Sequence, residues 1–290
     1  MPLATTALYL LVALIWGSTW IVITLQLGTV DPLASVIYRF ALASSLLFAW
    51  CFIRGQPLKL SLKQHGLMIV QGSFLFGLNY WILYLATQHL TSGLIAATFS
   101  TIVFFNALNG RIFLKMAIRS QVIVGGCLGL VGVLLLFAKE LQNFTFADTT
   151  TTGLALALFA TLLASLGNIT AAHNTNTGLS VLAINAWAMC YGTVTMAVIA
   201  LLLGTQLQFD TSITYLGALA YLVLFGSIIT FAGYLRLIKT LGPDKAAYMS
   251  MLIPFIALQL SALFEEYQWT LAGSFGLLLI LAGNWWAMRK

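Results

Sequence analysis

Two long stretches of this sequence contain no charged residue, and they limit the fold more than any other feature. Residues 66–110 and 149–209 hold no Asp, Glu, Lys or Arg, and most of their side chains are apolar. A helix that crosses ~30 Å of hydrocarbon needs about 20 predominantly apolar residues, so each stretch is long enough for two crossings. Polar residues at 88–92 and 174–178 mark the turns. Each stretch is therefore predicted to form a pair of transmembrane helices.

The rest of the chain divides in the same way. Its residues are 61% hydrophobic and only 7% charged, whereas a soluble domain carries about 25% charged residues. The N-terminal apolar run lacks the basic residue that normally precedes a cleaved signal peptide, so we expect it to be retained as the first helix. The sequence predicts an all-α integral membrane protein with ten transmembrane helices, near residues 4–25, 33–53, 66–88, 91–112, 121–138, 153–173, 179–204, 212–235, 245–264 and 268–288.

Basic and acidic residues sort to opposite sides of these predicted helices. With the N-terminus in the cytoplasm, most Lys and Arg residues fall on the cytoplasmic side, as the positive-inside rule requires. The prediction is a multi-pass protein of the cell's inner (plasma) membrane with both termini cytoplasmic. The cytoplasmic basic residues would be Arg54, Lys59, Lys63, Arg111, Lys115, Arg119, Arg236, Lys239, Lys245, Arg289 and Lys290. The acidic residues outside would be Asp31, Glu140, Asp148, Asp210, Glu265 and Glu266, with only Asp244 inside.

The two halves of the chain resemble each other at an offset of 150 residues. Matches include Tyr84 with Tyr234, Ala96-Ala97 with Ala246-Ala247, Ser100 with Ser250, Phe105 with Phe255, and Gly126 with Gly276. We predict one five-helix repeat in residues 1–140 and a second in 149–290. Because five is an odd number, the second repeat inserts upside down relative to the first. Inverted repeats with a site near the midplane are typical of transporters that work by alternating access.

Several short motifs resemble one known family. The first half has LIWGSTW at 14–20, DPLA at 31–34 and RFALA at 39–43. The second half has Ala246-Ala247-Tyr248, Pro254, Phe264-Glu265-Glu266, Gly273 and Gly283. Together they resemble the EamA-type branch of the drug/metabolite transporter (DMT) superfamily, although Phe104 and Met116 stand where that family commonly has proline and glutamate. The resemblance implies transport of metabolites, often amino acids, through a central cavity lined by helices 1, 3, 4, 6, 8 and 9.

Polar and aromatic residues within the spans are the candidates for this cavity. Tyr80 and Tyr84 lie four residues apart and so share one side of helix 3, and Trp16 and Trp20 do the same on helix 1. Buried amides need partners in hydrocarbon, so Asn79 faces either a cavity or another helix. Packing or lipid contact is the alternative for the aromatic residues, and bonding to their own helix is the alternative for the serines. The candidate cavity residues are Trp16, Trp20, Asn79, Tyr80, Tyr84, Ser100, Asn168, Tyr234, Tyr248 and Ser250.

Arg39 is the one basic residue well inside a predicted span. A charge within the membrane is costly and indicates a functional site by default. The side chain either binds a substrate carboxylate or ties helix ends together through backbone carbonyls. The EamA-type resemblance favours the structural role.

The types of residue missing from the spans exclude several classes of function. No Asp or Glu lies within a span core, so a strongly cationic substrate is disfavoured. The scattered cysteines and histidines show no metal spacing, and no phosphate-binding loop is present, which predicts no cofactor and no enzyme. Too few charges are present for a nucleic-acid interface. We therefore predict a transporter, in the lipid bilayer, of small neutral or zwitterionic metabolites, with amino acid export favoured. An exporter of drug-like organic molecules or cations remains the alternative, and monomer and homodimer both remain open.

Overall fold

In a computed structural model, residues 3–138, 149–174, 178–241 and 249–288 are described, and these ranges form ten helical spans and no strand. The first half contains α1 (Leu3–Thr24), α2 (Pro32–Ile53), α3 (Leu62–Ala86), α4 (Ser92–Leu114) and α5 (Ser120–Leu136). The second half contains α6 (Thr149–Asn174), α7 (Val181–Leu203), α8 (213–241), α9 (Met249–Phe264) and α10 (Leu271–Met288).

Local sequence signals set where several helices begin. Asp31 caps α2 by accepting a 2.7 Å hydrogen bond from the Leu33 backbone N–H, and Pro32 occupies the first turn. Ser61 and Gln64 form a reciprocal capping box at the start of α3. Such caps satisfy backbone donors that the first helical turn leaves unpaired. The helix starts therefore lie within a few residues of the positions predicted from the sequence.

Three helices extend furthest beyond their predicted bounds, and one of them, α3, starts at Leu62, four residues before its predicted start at 66. α6 starts at Thr149, four residues before the predicted start at 153, because the threonine run at its beginning continues the helix. α8 continues to Leu241, well past the predicted end at 235. Its last turns carry Arg236 and Lys239. Hydropathy assigns these charged residues to a loop, but a helix can continue beyond the hydrocarbon. Charge marks the membrane boundary and not the end of the helix.

The ten helices are arranged as two inverted five-helix repeats. α5 packs along its counterpart α10, and α2 packs along its counterpart α7. α1 contacts α8 and α9 of the other half, and its counterpart α6 contacts α3 and α4 in return. This reciprocity places a pseudo-two-fold axis through the centre of the bundle. Glycines bring α5 and α10 close, since a Cβ on Gly132 would lie 2.5 Å from the Gly276 carbonyl oxygen.

A π-helical segment interrupts each third helix of a repeat. In α3 it covers Gly72–Leu78, and in α8 it covers Leu222–Ile229, so the two begin 150 residues apart. Such segments are rare and frequently occur at functional sites. Hydrophobic pattern alone does not reveal them, because the change lies in the hydrogen-bond register and not in composition.

Candidate functional site

A cavity of about 320 Å³ lies between the two halves. Its size is at the lower end of the roughly 300–1,000 Å³ that is usual for small-molecule sites. The helices that line it are those implied by the resemblance, with α2 added through Arg39. The lining residues are Trp16, Thr19, Trp20, Ile23, Arg39, Leu75, Phe76, Asn79, Tyr80, Leu83, Phe99, Ile102, Asn168, Phe231, Tyr234 and Ile253.

Helical spacing explains which side chains reach the cavity. Trp16 and Trp20 face it together with Thr19 and Ile23, a set spaced by three and four residues along one face of α1. On α3 the residues at 75, 76, 79, 80 and 83 form a similar stripe. The sequence predicted Trp16, Trp20, Asn79 and Tyr80 as cavity residues. It missed their apolar neighbours, although the same helical spacing places those neighbours on the same helix faces.

Aromatic rings form much of the cavity wall and hold one another in place. The Trp16 ring centroid lies 5.5 Å from that of Phe231 and 5.1 Å from that of Tyr234, so α1 meets α8 of the other half. Trp20 meets Phe99 of α4 at 5.3 Å. Such pairs are worth about 0.5–1.5 kcal/mol beyond the burial of their surface. Phe99 and Phe231 were missed in the sequence because a phenylalanine in a membrane span carries no mark that separates cavity from core.

Two asparagines bring polar groups to this mostly apolar site. The Asn79 side-chain nitrogen donates a 2.9 Å hydrogen bond to the Leu75 carbonyl, while its oxygen has no partner among the described residues. The Asn168 nitrogen donates to the Asn106 oxygen over 3.4 Å, which joins α6 to α4. The cavity therefore offers few hydrogen-bonding groups, placed at specific points.

Arg39 is buried at the edge of the cavity, with 1% of its surface exposed. Its Nε donates to the Ser227 hydroxyl over 3.4 Å, within the π-helical segment of α8. The guanidinium carbon lies 5.1 Å from the Phe40 ring centroid and 4.7 Å from that of Tyr80. Contacts with aromatic faces stabilise a cation by about 0.5–2 kcal/mol. The charge is thus fixed in position, and the described residues that line the cavity include no carboxylate.

Comparison with known proteins identifies the family. The profile of the EamA-like transporter family matches residues 4–138 and again residues 151–289. The chain belongs to this family. Membership is consistent with the DMT superfamily and makes the protein a membrane transporter, as the sequence motifs predicted.

Relatives of this EamA-like transporter cover nearly the whole chain. The uncharacterized transporter YoaV of Bacillus subtilis is 25% identical over 94% of this chain and 92% of its own. The uncharacterized inner membrane transporter YedA of Escherichia coli K12 is 26% identical over 89% of this chain and 80% of its own. A solved crystal structure covers 98% of this chain and 96% of its own with a TM-score of 0.69 at 15% identity, which shows a shared fold.

Two predicted cavity residues lie elsewhere in this EamA-like structure. Tyr84 is fully buried, and its hydroxyl donates a 2.7 Å hydrogen bond to the Gln26 side-chain oxygen, because that end of α3 packs against the chain following α1. Ser100 faces the glycines Gly125 and Gly126 of α5, and its hydroxyl donates to the Ala97 carbonyl at 2.6 Å. α4 is interrupted at this serine, which directs the side chain away from the cavity.

The remaining candidates fall into two groups. Tyr248 lies outside the described residues, and the structure describes only the backbone of Ser250. The other seven candidates line the same cavity, namely Trp16, Trp20, Arg39, Asn79, Tyr80, Asn168 and Tyr234. The structure therefore brings together candidates from both halves at a point where the repeats face each other.

Proposed function

We propose that this EamA-like transporter moves small neutral or zwitterionic metabolites, amino acids in particular, by alternating access through the cavity between its repeats. The observation that carries the proposal is the lining of that cavity. Aromatic rings from α1, α3, α4 and α8 provide an apolar surface, and Arg39, Asn79 and Asn168 provide isolated polar groups. An apolar pocket with a few placed polar groups suits a small amphipathic molecule.

The proposed orientation places both termini in the cytoplasm of a cell whose inner membrane holds the protein. It rests on the excess of Lys and Arg in the loops after α2, α4 and α8 and at the C-terminus. The relative YedA is named as an inner membrane transporter, which supports the same location.

Export of drug-like organic molecules is the second candidate. The aromatic lining supports it, because flat aromatic surfaces accept many apolar compounds. Against organic cations stands the charge of Arg39, since a buried positive charge repels another cation in a medium of low dielectric constant. The described lining contains no Asp or Glu to offset that repulsion.

The test is counterflow of labelled amino acids into proteoliposomes preloaded with the same compound. We expect Tyr80→Ala to reduce the rate about tenfold, because the wall loses an aromatic contact worth roughly 1.5 kcal/mol. The matched control is Phe159→Ala, which removes an aromatic ring from α6 that is 48% exposed on the outer surface. Absence of counterflow for every amino acid, with pH-driven movement of organic cations, would favour the drug exporter.

A further inference from the structure

We propose that Arg39 and Asn79 together form a head-group subsite, in which Arg39 binds the carboxylate of an α-amino acid and the Asn79 oxygen accepts from its ammonium group. The proposal rests on the transport function above and assigns the substrate class that the cavity recognises. A structural tie between helices is the alternative role for Arg39.

The first support is an unpaired hydrogen-bond donor on Arg39. One of its terminal nitrogens, Nη1, has no hydrogen-bond partner among the described residues, although the side chain is 1% exposed. A purely structural arginine of this depth would be expected to use its donors on backbone carbonyls or on a carboxylate. Leaving a buried donor without an acceptor costs free energy, and a bound carboxylate removes that cost.

The second support is the rigid placement of the guanidinium group. Ser227 holds the Nε atom, and the rings of Phe40 and Tyr80 flank the group. A Cβ on Gly226 would lie 3.5 Å from Nη2, so the π-helical segment of α8 packs directly against the guanidinium. A planar donor fixed in this way matches the geometry of a carboxylate.

The third support is the direction of the Asn79 amide. The Leu75 carbonyl can only accept a hydrogen bond, so the side-chain nitrogen of Asn79 must face it. The oxygen is then directed elsewhere and has no partner among the described residues. An unpaired acceptor suits an ammonium group and is unfavourable beside a carboxylate. Arg39 and Asn79 thus offer the two complements that an amino acid head group requires.

The aromatic part of the lining completes the specificity. Trp16, Trp20, Phe99 and Phe231 leave an apolar surface next to these polar groups. A zwitterion with a large apolar side chain would bury that side chain there. An amine without any oxygen acceptor would face the Arg39 charge without compensation, so simple organic amines are excluded by the same subsite.

The experiment compares four compounds that share one aromatic side chain. L-Phenylalanine, L-phenylalaninamide, 3-phenylpropionate and phenethylamine are tested on purified protein by binding, followed through tryptophan fluorescence, and by competition with phenylalanine counterflow in proteoliposomes. We expect phenylalanine to bind about ten- to a hundredfold more tightly than its amide, the range of a charge-assisted hydrogen bond. Phenethylamine should not compete, and phenylpropionate should fall between phenylalanine and the amide.

Variants assign this discrimination to named atoms. Arg39→Met inserts the residue that stands 150 positions later, Met189, which is fully buried at the matching place in α7. We expect it to abolish the preference for phenylalanine over the amide, whereas Arg39→Lys keeps part of it. Asn79→Leu should remove the preference for phenylalanine over phenylpropionate. The control is Arg54→Met, which removes an exposed charge stacked on Trp50 at the end of the same helix and should change neither preference.

Each other result overturns a defined part of the proposal. If the wild-type protein transports phenylalanine but binds the amide equally well, the subsite is wrong while the transport function stands. If chloride displaces phenylalanine at equal concentration, Arg39 holds an inorganic anion only. If no amino acid binds or moves, the proposed function fails and the subsite fails with it. Should Arg39→Met not fold, the wild-type panel and Arg39→Lys still decide the question.

Discussion

The two halves share one architecture but carry very different chemistry at matching positions. In the first half, Arg39 and Tyr80 are charged or polar and line the cavity. The residues 150 positions later are Met189 and Thr230, and both are buried in helix contacts. The fold therefore accepts apolar or small side chains at these places.

Tyr84 and Tyr234 are one of the identical pairs at matching positions, and yet their environments differ. Tyr84 is fully buried and bonded to Gln26, whereas its counterpart Tyr234 lines the cavity beside Trp16. The same side chain at equivalent positions of inverted repeats is thus closed off at one end of the bundle and open to the cavity at the other. Under the proposed alternating access, rocking of the halves exchanges these two environments.

The largest effect on stability is expected where the two halves pack most closely, along α5 and α10. A Cβ on Gly132 would lie 2.5 Å from the Gly276 carbonyl oxygen and 2.9 Å from the Ile280 nitrogen, both backbone atoms that cannot rotate away. Gly132→Ala should therefore lower stability by about 1–3 kcal/mol or prevent folding. The measurement is the thermal unfolding midpoint in detergent. Gly129→Ala is the control, because a Cβ there meets nothing within 4 Å; equal midpoints for the two variants would contradict the close packing.

A tenfold difference in labelling rate is expected between cysteines placed at positions 84 and 234. After Cys51, Cys127 and Cys190 are replaced, Tyr234→Cys should react with a small polar thiol reagent at least about tenfold faster than Tyr84→Cys, because thiol reactivity requires access. A substrate that stabilises the opposite state should reduce or reverse the difference. Equal rates at the two positions in the absence of substrate would show that the halves do not differ in exposure.

Sequence alone predicted the general fold well because lipid and charge leave strong signals. The spans, the repeat and Arg39 follow from hydropathy, a fixed offset and one costly charge. The π-helical segments Gly72–Leu78 and Leu222–Ile229 were invisible, since they change hydrogen-bond register and not composition. Tyr84 was assigned to the cavity because helical spacing gives a face but not the end of the bundle that is closed. Phe99 was missed because apolar rings look alike in lipid, core and cavity.

The smallest effect on stability is expected at a contact that joins the two halves at one end of the helix bundle only. The Glu265 carboxylate accepts from the Ser92 backbone N–H at 2.9 Å and from the Ser92 hydroxyl, which ties the end of α9 to the start of α4. Lys115, 150 residues earlier, is exposed and has no hydrogen bond to the other half among the described residues. Glu265→Gln should weaken the contact by about 1 kcal/mol, seen as a midpoint lower by a few degrees. Glu266→Gln removes the same charge from an exposed neighbour and should leave the midpoint unchanged. Under the proposed alternating access this contact breaks whenever that end opens, so Glu265→Gln should also speed labelling of Tyr84→Cys. If the variant lowers the midpoint without changing the labelling rate, the contact supports the fold and not the closed end.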